Sequence, residues 1–184
     1  SEDAEIILFE RGPHVSFANC GLPYYVGGEI THAQDLLLRT PASLRARFNL
    51  DVRVESEIVQ IDRQTKQVKA RELATGREYH QAYDSLILAP GASPLKPPIQ
   101  GIERAGHFVV RNIPDVEKIM AWIKAGPVRR AVVVGGGYIG LEMAEQLKQR
   151  GLAVTVVEAL PQVMAPLDPE MAAWLHAEIG RAHV

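Results

Sequence analysis

The chain has 184 residues, of which 47% are hydrophobic, so it can form the cores of one large or two small globular domains. Its formal net charge of −2 gives no basic surface for nucleic acid or for an anionic membrane. The sequence has no apolar run of roughly 20 residues and no signal-peptide pattern, and we expect a cytoplasmic protein that binds neither nucleic acid nor membrane.

Both ends of the chain are expected to be cut. A strand begins within a few residues of Ser1, and no initiator methionine precedes it. Residues 179–184 lose the apolar periodicity of the segment before them and are typical of a translated sequencing adapter. We therefore leave 179–184 out of the fold interpretation as a non-native tail.

The first predicted element is a short buried strand at 6–9 that ends at Glu10. An apolar strand followed directly by a carboxylate is the pattern of a nucleotide-binding strand, whose acid binds ribose hydroxyls. The glycine turn that belongs to such a strand would then lie upstream of Ser1. The alternative is that Glu10 is a solvated acid at a strand end.

Residues 16–28 contain the single cysteine of the sequence, Cys20. Asn19 is predicted to cap a short helix that tolerates Pro23 in its first turn and ends at 27–28, where two glycines stand. Cys20 would then lie at a helix N-terminus, where free N–H groups favour a thiolate. The alternative is a buried cysteine that acts as a small hydrophobic residue.

The middle of the chain predicts a helix and several strands. Thr40 and Pro41 have the N-cap and first-turn signature of a helix that continues to Phe48. Further along, alternation or apolar runs predict one strand at 51–62, a hairpin of 67–72 with 77–79 around Thr75-Gly76, and a buried strand at 83–88. Ile58 falls within the strand at 51–62, where the pattern makes it ordinary strand core.

A connection containing Pro94, Pro97 and Pro98 leads to a helix that begins near Pro114, and Asp168-Pro169 begins another helix near the end. Between these two helices, residues 130–158 read as strand, glycine turn, helix and strand. The turn, 135–140, has the G-x-G-x-x-G pattern, which lets the backbone approach a pyrophosphate at a helix N-terminus. Glu158 follows Gly140 by 18 positions, close to the spacing expected of a ribose-binding acid. The alternative is a glycine-rich turn without a ligand.

These elements predict an α/β protein with two Rossmann-like nucleotide-binding domains of three-layer ββα character, both incomplete. We assign 1–112 to a first partial nucleotide-binding domain, 113–126 to a connecting helix and 127–178 to a second partial nucleotide-binding domain. The six histidines have no cysteine, histidine or carboxylate at a metal-ligand spacing, so no metal site is expected.

Three segments together resemble the single-cysteine branch of the flavin-dependent pyridine nucleotide-disulfide oxidoreductases, which contains CoA-disulfide reductases, NADH-dependent persulfide reductases and NADH oxidases. They are S-F-A-N-C-G-L-P-Y-Y at 16–25, L-I-L-A-P-G-A at 86–92 and the glycine turn with its helix start at 135–142. The dithiol branch needs a second cysteine five positions from the first, where this chain has Val15 and Tyr25. The second sulfur would therefore come from a substrate.

The resemblance implies FAD and NADH as cofactors, with NADPH as a second option. It makes 1–112 a partial FAD-binding domain and 127–178 a partial NAD(P)-binding domain. It also implies a homodimer in the full-length protein. It makes Cys20 the catalytic residue and places Ser16 and Asn19 near a small disulfide or persulfide. The FAD contacts it implies are Glu10, Arg11, Cys20, Ile58, Ala89 and Gly91. The NAD contacts it implies are Gly135, Gly137, Tyr138, Ile139, Gly140, Glu142 and Glu158, with Tyr138 and Glu142 lining the nicotinamide passage.

The function expected from this resemblance is reduction of a low-molecular-weight disulfide or persulfide by NAD(P)H through FAD and Cys20. One alternative is an NADH oxidase or peroxidase in which Cys20 cycles through a sulfenic acid. The other is a flavin redox sensor or electron carrier without substrate turnover.

Overall fold

A computed structural model describes residues 4–181. The chain forms two compact units, one made of residues 1–18 with 37–92 and the other of residues 19–36 with 93–184. Segment 19–36, which contains Cys20, therefore groups with the C-terminal half of the chain. The assignment of 1–112 and 127–178 to FAD and NAD(P) binding stays a prediction.

The architecture is mixed α/β, as predicted, with parallel and antiparallel strand pairs. Its strands and helices in chain order are β1 (Ile6–Phe9), β2 (Ser16–Phe17), α1 (Leu22–Gly27), β3 (Leu37–Arg39), α2 (Pro41–Phe48), β4 (Leu50–Arg53), β5 (Ser56–Asp62), β6 (Gln67–Glu72), β7 (Glu78–Ala82), α3 (Ile113–Ala125), β8 (Arg130–Val134), α4 (Tyr138–Gln149), β9 (Ala153–Val157) and α5 (Pro169–Arg181).

The first unit contains three small sheets. β1 pairs in parallel with β4, β2 pairs with β3, and β5, β6 and β7 form an antiparallel sheet in that order. Helix α2 connects β3 to β4 and begins with the predicted cap: Thr40 Oγ1 accepts the N–H of Ser43 at 3.2 Å, and Ser43 Oγ accepts the N–H of Thr40 at 2.9 Å. This reciprocal pair of hydrogen bonds satisfies two donors at the helix start.

The second unit is built on β8, α4 and β9. The two strands are parallel, with Val132 opposite Thr155, and α4 is the crossover that a parallel connection requires. Helix α3 buries one face through Ile113, Val116, Ile119 and Met120. Helix α1 packs against both α3 and α4. The predicted helices at Pro114 and at Asp168-Pro169 are confirmed.

The strand predicted at 83–88 is wrong. This segment has no regular secondary structure, and the side chain of Ile87 is 89% exposed. A strand exists only where a neighbouring strand takes its backbone hydrogen bonds, and the described residues offer this segment none. The apolar run has the composition of a strand, but composition does not show whether a partner strand is present.

The single strand predicted at 51–62 is also wrong, because the chain turns between β4 and β5. Glu55 has φ 49° there, a left-handed conformation that ends a strand. β4 then pairs with β1, whereas β5 pairs with β6. The alternation of apolar residues continues across the turn and hides it.

The strands expected to be fully buried are more exposed to solvent than predicted. Alternate residues of β8 are exposed, and Val132 is 64% exposed. β1 is likewise exposed or half-buried along its length. Each of these strands has a single partner strand among the described residues, so one edge and part of one face stay uncovered.

The predicted tail at 179–184 lies partly outside the described residues. Helix α5 continues through Ile179 and Gly180 to Arg181, so these three residues are helical. The other three, 182–184, are outside the described range. Whether 179–184 is native stays a prediction.

Candidate functional site

The glycine turn between β8 and α4 has a shape that only glycine allows at two positions. Gly135 has φ 106°, a conformation that L side chains rarely adopt. A Cβ at Gly140 would lie 1.9 Å from the carbonyl oxygen of Gly135, so the helix and the turn touch through backbone. A Cβ at Gly137 would meet nothing within 4 Å. Gly137 therefore faces open space at the start of α4.

Glu158, at the end of β9, is tied to this turn. Its Oε2 accepts the backbone N–H of Gly136 at 2.6 Å, and its Oε1 accepts the N–H of Leu160 at 2.9 Å. These backbone donors, Leu160 first and then Gly136, hold the pKa of Glu158 below its usual value. The acid predicted to bind ribose thus stands charged beside the glycine turn.

A second segment, which sequence reasoning missed, closes on the same turn. The N–H of Met164 donates to the carbonyl oxygen of Gly136 at 2.8 Å, and a Cβ at Gly136 would lie 2.9 Å from Cγ1 of Val163. Val163 and Met164 are buried. Nothing in the local sequence indicates this contact, since Met164 adopts φ 51° without being glycine or asparagine.

The start of α4 fits a dinucleotide. Its N-cap, Gly137, makes no side-chain hydrogen bond to the first turn, so the N–H groups there are free for the oxygens of a pyrophosphate. Tyr138 and Ile139 are mostly exposed and Glu142 is half-buried. The predicted contacts from Gly135 to Glu158 are therefore brought together in the second unit, with the open space above Gly137 between them.

Cys20 lies in a 3-10 turn formed by Asn19–Gly21, directly before α1. The predicted cap is wrong: the N-cap of α1 is Gly21, which has no side chain that could accept a hydrogen bond, and Asn19 lies two positions earlier, in the 3-10 turn. Pro23 in the first turn and the end at Gly28, with φ 96°, are as predicted. Cys20 is exposed, so its reading as a buried small hydrophobic residue is wrong.

Ser16 and Asn19 were expected to share the substrate site. Ser16 lies in β2 of the first unit, is half-buried and stands opposite Arg39 in the sheet. Asn19 is the first residue of the second unit and is exposed. Their joint contact with a substrate stays a prediction.

The residues expected to contact FAD lie in the first unit, apart from Cys20. Glu10 Oε1 accepts the N–H of Gly12 at 2.6 Å, which repeats the geometry by which Glu158 accepts the N–H of Leu160. Arg11 lies 3.5 Å from Glu57 but its side chain is largely exposed. The ribose contact of Glu10 stays a prediction.

The other expected FAD residues offer backbone. Ile58 is half-buried in β5 opposite Ala70. Ala89 and Gly91 lie in the exposed segment after β7, and Gly91 has φ 69°. Glycine has no Cβ, so the backbone at Gly91 can approach a cofactor closely, which is the contact expected there.

The described part of the chain contains neither a candidate metal site nor a helix that could span a membrane. Among residues 4–181 no three His, Cys, Asp or Glu side chains are grouped so that they could hold a metal ion. No helix in that range has the length and apolarity needed to cross a membrane.

A sequence profile described as "Pyridine nucleotide-disulphide oxidoreductase" matches residues 1–184. An NADH oxidase of Methanocaldococcus jannaschii is 38% identical over 173 residues, which are 94% of this chain and 38% of that protein. A coenzyme A disulfide reductase of Staphylococcus haemolyticus is 33% identical over 183 residues, 100% of this chain and 41% of the other. The chain thus spans about two fifths of the length of the curated relatives it matches.

Two solved structures are also similar to this chain over nearly its whole length. Reduced Bacillus anthracis CoADR-RHD is 50% identical with a TM-score of 0.96, covering 99% of this chain and 33% of that one. A NAD-dependent persulfide reductase from A. fulgidus is 39% identical with a TM-score of 0.94, covering 100% of this chain and 35% of that one. FAD and NAD(P)H are the cofactors that this family indicates.

Proposed function

Because this chain belongs to the pyridine nucleotide-disulphide oxidoreductase family, we propose that it is part of an FAD-dependent enzyme that uses NADH to reduce a low-molecular-weight disulfide or persulfide. The observation that carries the proposal is the exposure of Cys20 on a turn that leads directly into α1. An exposed thiol can meet an incoming sulfur compound, whereas a buried one cannot.

Cys20 acts as the nucleophile. Its thiolate attacks one sulfur of a disulfide RS–SR, forming a Cys20–S–S–R bond and releasing RS⁻, which takes up a proton. With a persulfide RS–SH, the same attack on the inner sulfur releases HS⁻. Two electrons and one proton then cleave the mixed disulfide, which restores the Cys20 thiolate and releases RSH.

Bound FAD would supply the two electrons after accepting a hydride equivalent from NADH. The residues of the first unit that would hold it are Glu10, Arg11, Ile58, Ala89 and Gly91. Glu10 would accept hydrogen bonds from ribose hydroxyls, and the other four would lie along the cofactor mainly through backbone. By the family resemblance, Cys20 would lie beside the flavin ring.

The glycine turn would bind the pyrophosphate of NADH through the free N–H groups at the start of α4. Glu158 would accept hydrogen bonds from the adenosine ribose and repel the 2′-phosphate of NADPH, so NADH is the preferred donor. Its neighbours Ala159 and Leu160 offer no cation to offset that repulsion. Tyr138 and Glu142 would line the nicotinamide passage.

Ser16 and Asn19 would contact the sulfur substrate with small hydrogen-bonding groups. The substrate class follows the names of two similar proteins, a coenzyme A disulfide reductase and a persulfide reductase. We further propose a homodimer of the complete protein, as the family resemblance implies.

The second candidate function is an NADH oxidase, which the name of the Methanocaldococcus relative favours. In that case the exposed Cys20 would be oxidised to a sulfenic acid instead of a mixed disulfide. The two functions need different acceptors, because an oxidase consumes oxygen or peroxide and needs no sulfur compound.

The deciding experiment measures NADH oxidation by the complete FAD-loaded protein under air and under anaerobic conditions. Coenzyme A disulfide, coenzyme A persulfide and oxygen are compared at equal enzyme concentration. We expect faster anaerobic turnover with a disulfide or persulfide than with oxygen alone. Rapid reduction of oxygen to water, with no response to any sulfur acceptor, would replace the proposal by the oxidase.

A further inference from the structure

Gln146, in the middle of α4, is a polar side chain buried between two helices. It is 2% exposed, and its Nε2 donates to Oε1 of Glu29, just beyond the end of α1, at 3.1 Å. Its Oε1 is buried and has no hydrogen-bond partner. An unpaired buried amide oxygen is unfavourable, and an apolar side chain of the same size would avoid that cost. What Gln146 offers in return is one fixed arrangement of α1 on α4.

Gly27, the last residue of α1, is the position that accommodates Gln146. A Cβ on Gly27 would lie 1.6 Å from Oε1 and 2.7 Å from Cδ of Gln146, closer than any two such atoms can approach. The amide therefore occupies the space that any other residue at 27 would need. A larger residue at 27 would therefore require the flexible amide end of Gln146 to move.

A second polar contact lies one helical turn along α4. The guanidinium Nε of Arg150 donates to the carbonyl oxygen of Val26. This carbonyl belongs to the last turn of α1, where orphan acceptors need a partner. Leu22 and Val26, both buried, complete the apolar side of the contact. α1 is thus fixed to α4 by two polar ties at its C-terminal end and by apolar packing along its length.

Cys20 depends on this contact, because its turn continues directly into α1. No side-chain hydrogen bond fixes the start of α1 at Gly21, so the packing of the rest of the helix determines where this start lies. We infer that Gln146 is a positioning residue for Cys20: through Gly27 and Glu29 it sets the place of α1 on α4 and thereby the place of the thiol.

This inference rests on the proposed function in one respect, namely that Cys20 must be held at a defined place to react. It also connects the proposed NADH site with Cys20, since α4 begins at the glycine turn expected to bind NADH. One helix would then hold the nucleotide at its first turn and fix the cysteine helix from its middle.

The test uses the complete FAD-loaded protein and four variants: Gly27→Ala, Gln146→Leu, the double variant Gly27→Ala with Gln146→Ala, and the control Gln149→Ala. Gln149 is on the same helix but exposed. Three quantities are measured: the pH profile of Cys20 alkylation by iodoacetamide, followed by mass spectrometry of its peptide; the long-wavelength thiolate-to-flavin absorbance after reduction; and the melting temperature.

We expect Gly27→Ala to change the alkylation rate of Cys20 several-fold and to lower the long-wavelength absorbance at least twofold. Truncating Gln146 to alanine in the double variant should restore at least half of both changes, because it removes the contacts with Oε1 and Cδ and leaves only a Cβ–Cβ distance of 3.1 Å. Gln146→Leu should shift the alkylation profile while the melting temperature stays the same or rises. Gln149→Ala should match the wild type.

The inference is overturned if these variants change only the melting temperature and leave the reactivity of Cys20 as in the wild type. It is also overturned if the double variant is no better than Gly27→Ala. If Gly27→Ala does not fold, the alkylation profile and the melting temperature of Gln146→Leu decide whether Gln146 positions Cys20. Absence of the long-wavelength absorbance in the wild type would instead contradict the proposed function, and the alkylation comparison would still decide the role of Gln146.

Discussion

The backbone N–H of Gly136 donates to Oε2 of Glu158 at 2.6 Å, which joins the glycine turn to the acid at the end of the next strand. The two residues are 22 positions apart. This bond aims the carboxylate at the turn and keeps it charged, because backbone donors lower its pKa. The acid and the turn are therefore held together at the place where we propose that a dinucleotide binds.

Glu158→Gln should weaken NADH binding and narrow the preference for NADH over NADPH. The amide loses a charged acceptor for the ribose hydroxyls and no longer repels a 2′-phosphate. Hydrogen bonds to a charged acceptor are stronger than those to a neutral one, so kcat/KM with NADH should fall about tenfold or more. Steady-state kinetics of the complete enzyme with both donors measures this, with Glu145→Gln, an exposed acid on α4, as the control. A wild type with higher kcat/KM for NADPH would contradict the assignment.

Gly140→Ala and Gly137→Ala form a matched pair in the glycine turn. At Gly140 a methyl group would strike the carbonyl oxygen of Gly135, so stability should fall by about 1–3 kcal/mol or more. At Gly137 it meets nothing within 4 Å, and stability should change by less than about 1 kcal/mol. Gly137→Ala should nevertheless weaken NADH binding, since its methyl group occupies the space expected for phosphate. Urea unfolding and NADH titration separate the two effects, and equal stability losses would contradict this picture.

Cys20→Ser in the complete protein should keep FAD and lose turnover with disulfides. A hydroxyl cannot form the mixed disulfide, and an exposed side chain can be replaced at a cost within about 0.5 kcal/mol. The measurements are the flavin spectrum, the melting temperature and anaerobic NADH oxidation with coenzyme A disulfide. Cys20→Ala serves as the control for the added hydroxyl. Substantial remaining reduction of the disulfide would remove Cys20 from the mechanism.

The hairpin of β6 and β7 should lose stability in acid. The ammonium of Lys69, at 2.5 Å, and then the guanidinium of Arg71 lower the pKa of Glu78, and Arg77 followed by Thr75 lowers the pKa of Glu72. Carboxyls with a lowered folded-state pKa contribute stability above their unfolded pKa of about 4.3, and this contribution is lost as the pH falls through the folded value.

Urea unfolding between about pH 7 and pH 3 tests this, and the loss should shrink at high salt because these pairs are exposed. Glu78→Gln should flatten the acid part of the curve. A wild-type curve that rises toward low pH would refute the assignment.

Arg53→Lys should destabilise the first unit. The guanidinium donates to Asp51 Oδ2 at 2.7 Å and 2.9 Å, to Tyr79 Oη at 3.2 Å and to Gln81 Oε1 at 3.1 Å, and it lies over the ring of Phe9. An ammonium cannot make these contacts together, so we expect a loss of about 1–3 kcal/mol. Urea unfolding measures it against Arg45→Lys, an exposed change on α2. Equal effects of the two substitutions would show that the network contributes nothing.

The sequence by itself determined the elements whose ends are fixed by nearby residues. Thr40 caps α2, Gly28 ends α1, and the run from β8 through the glycine turn to Glu158 has the predicted order and pairing. At the two helix ends the deciding hydrogen bond or backbone conformation lies within a few residues of the signal, so the local sequence is enough to predict it. The pairing of β8 with β9 is longer in range, and the order strand, glycine turn, helix and strand predicts it because a parallel pair needs such a crossover.

Only the tertiary structure decided which segments find partners. Residues 83–88 have the composition of a strand but pair with no strand of the described part of the chain, and 51–62 divides at Glu55 because β4 and β5 join different sheets. The contact of Gly27 with Gln146, more than a hundred positions away, depends on how α1 packs on α4. Pairing and packing bring together residues distant in sequence, and no local pattern records which of them will meet.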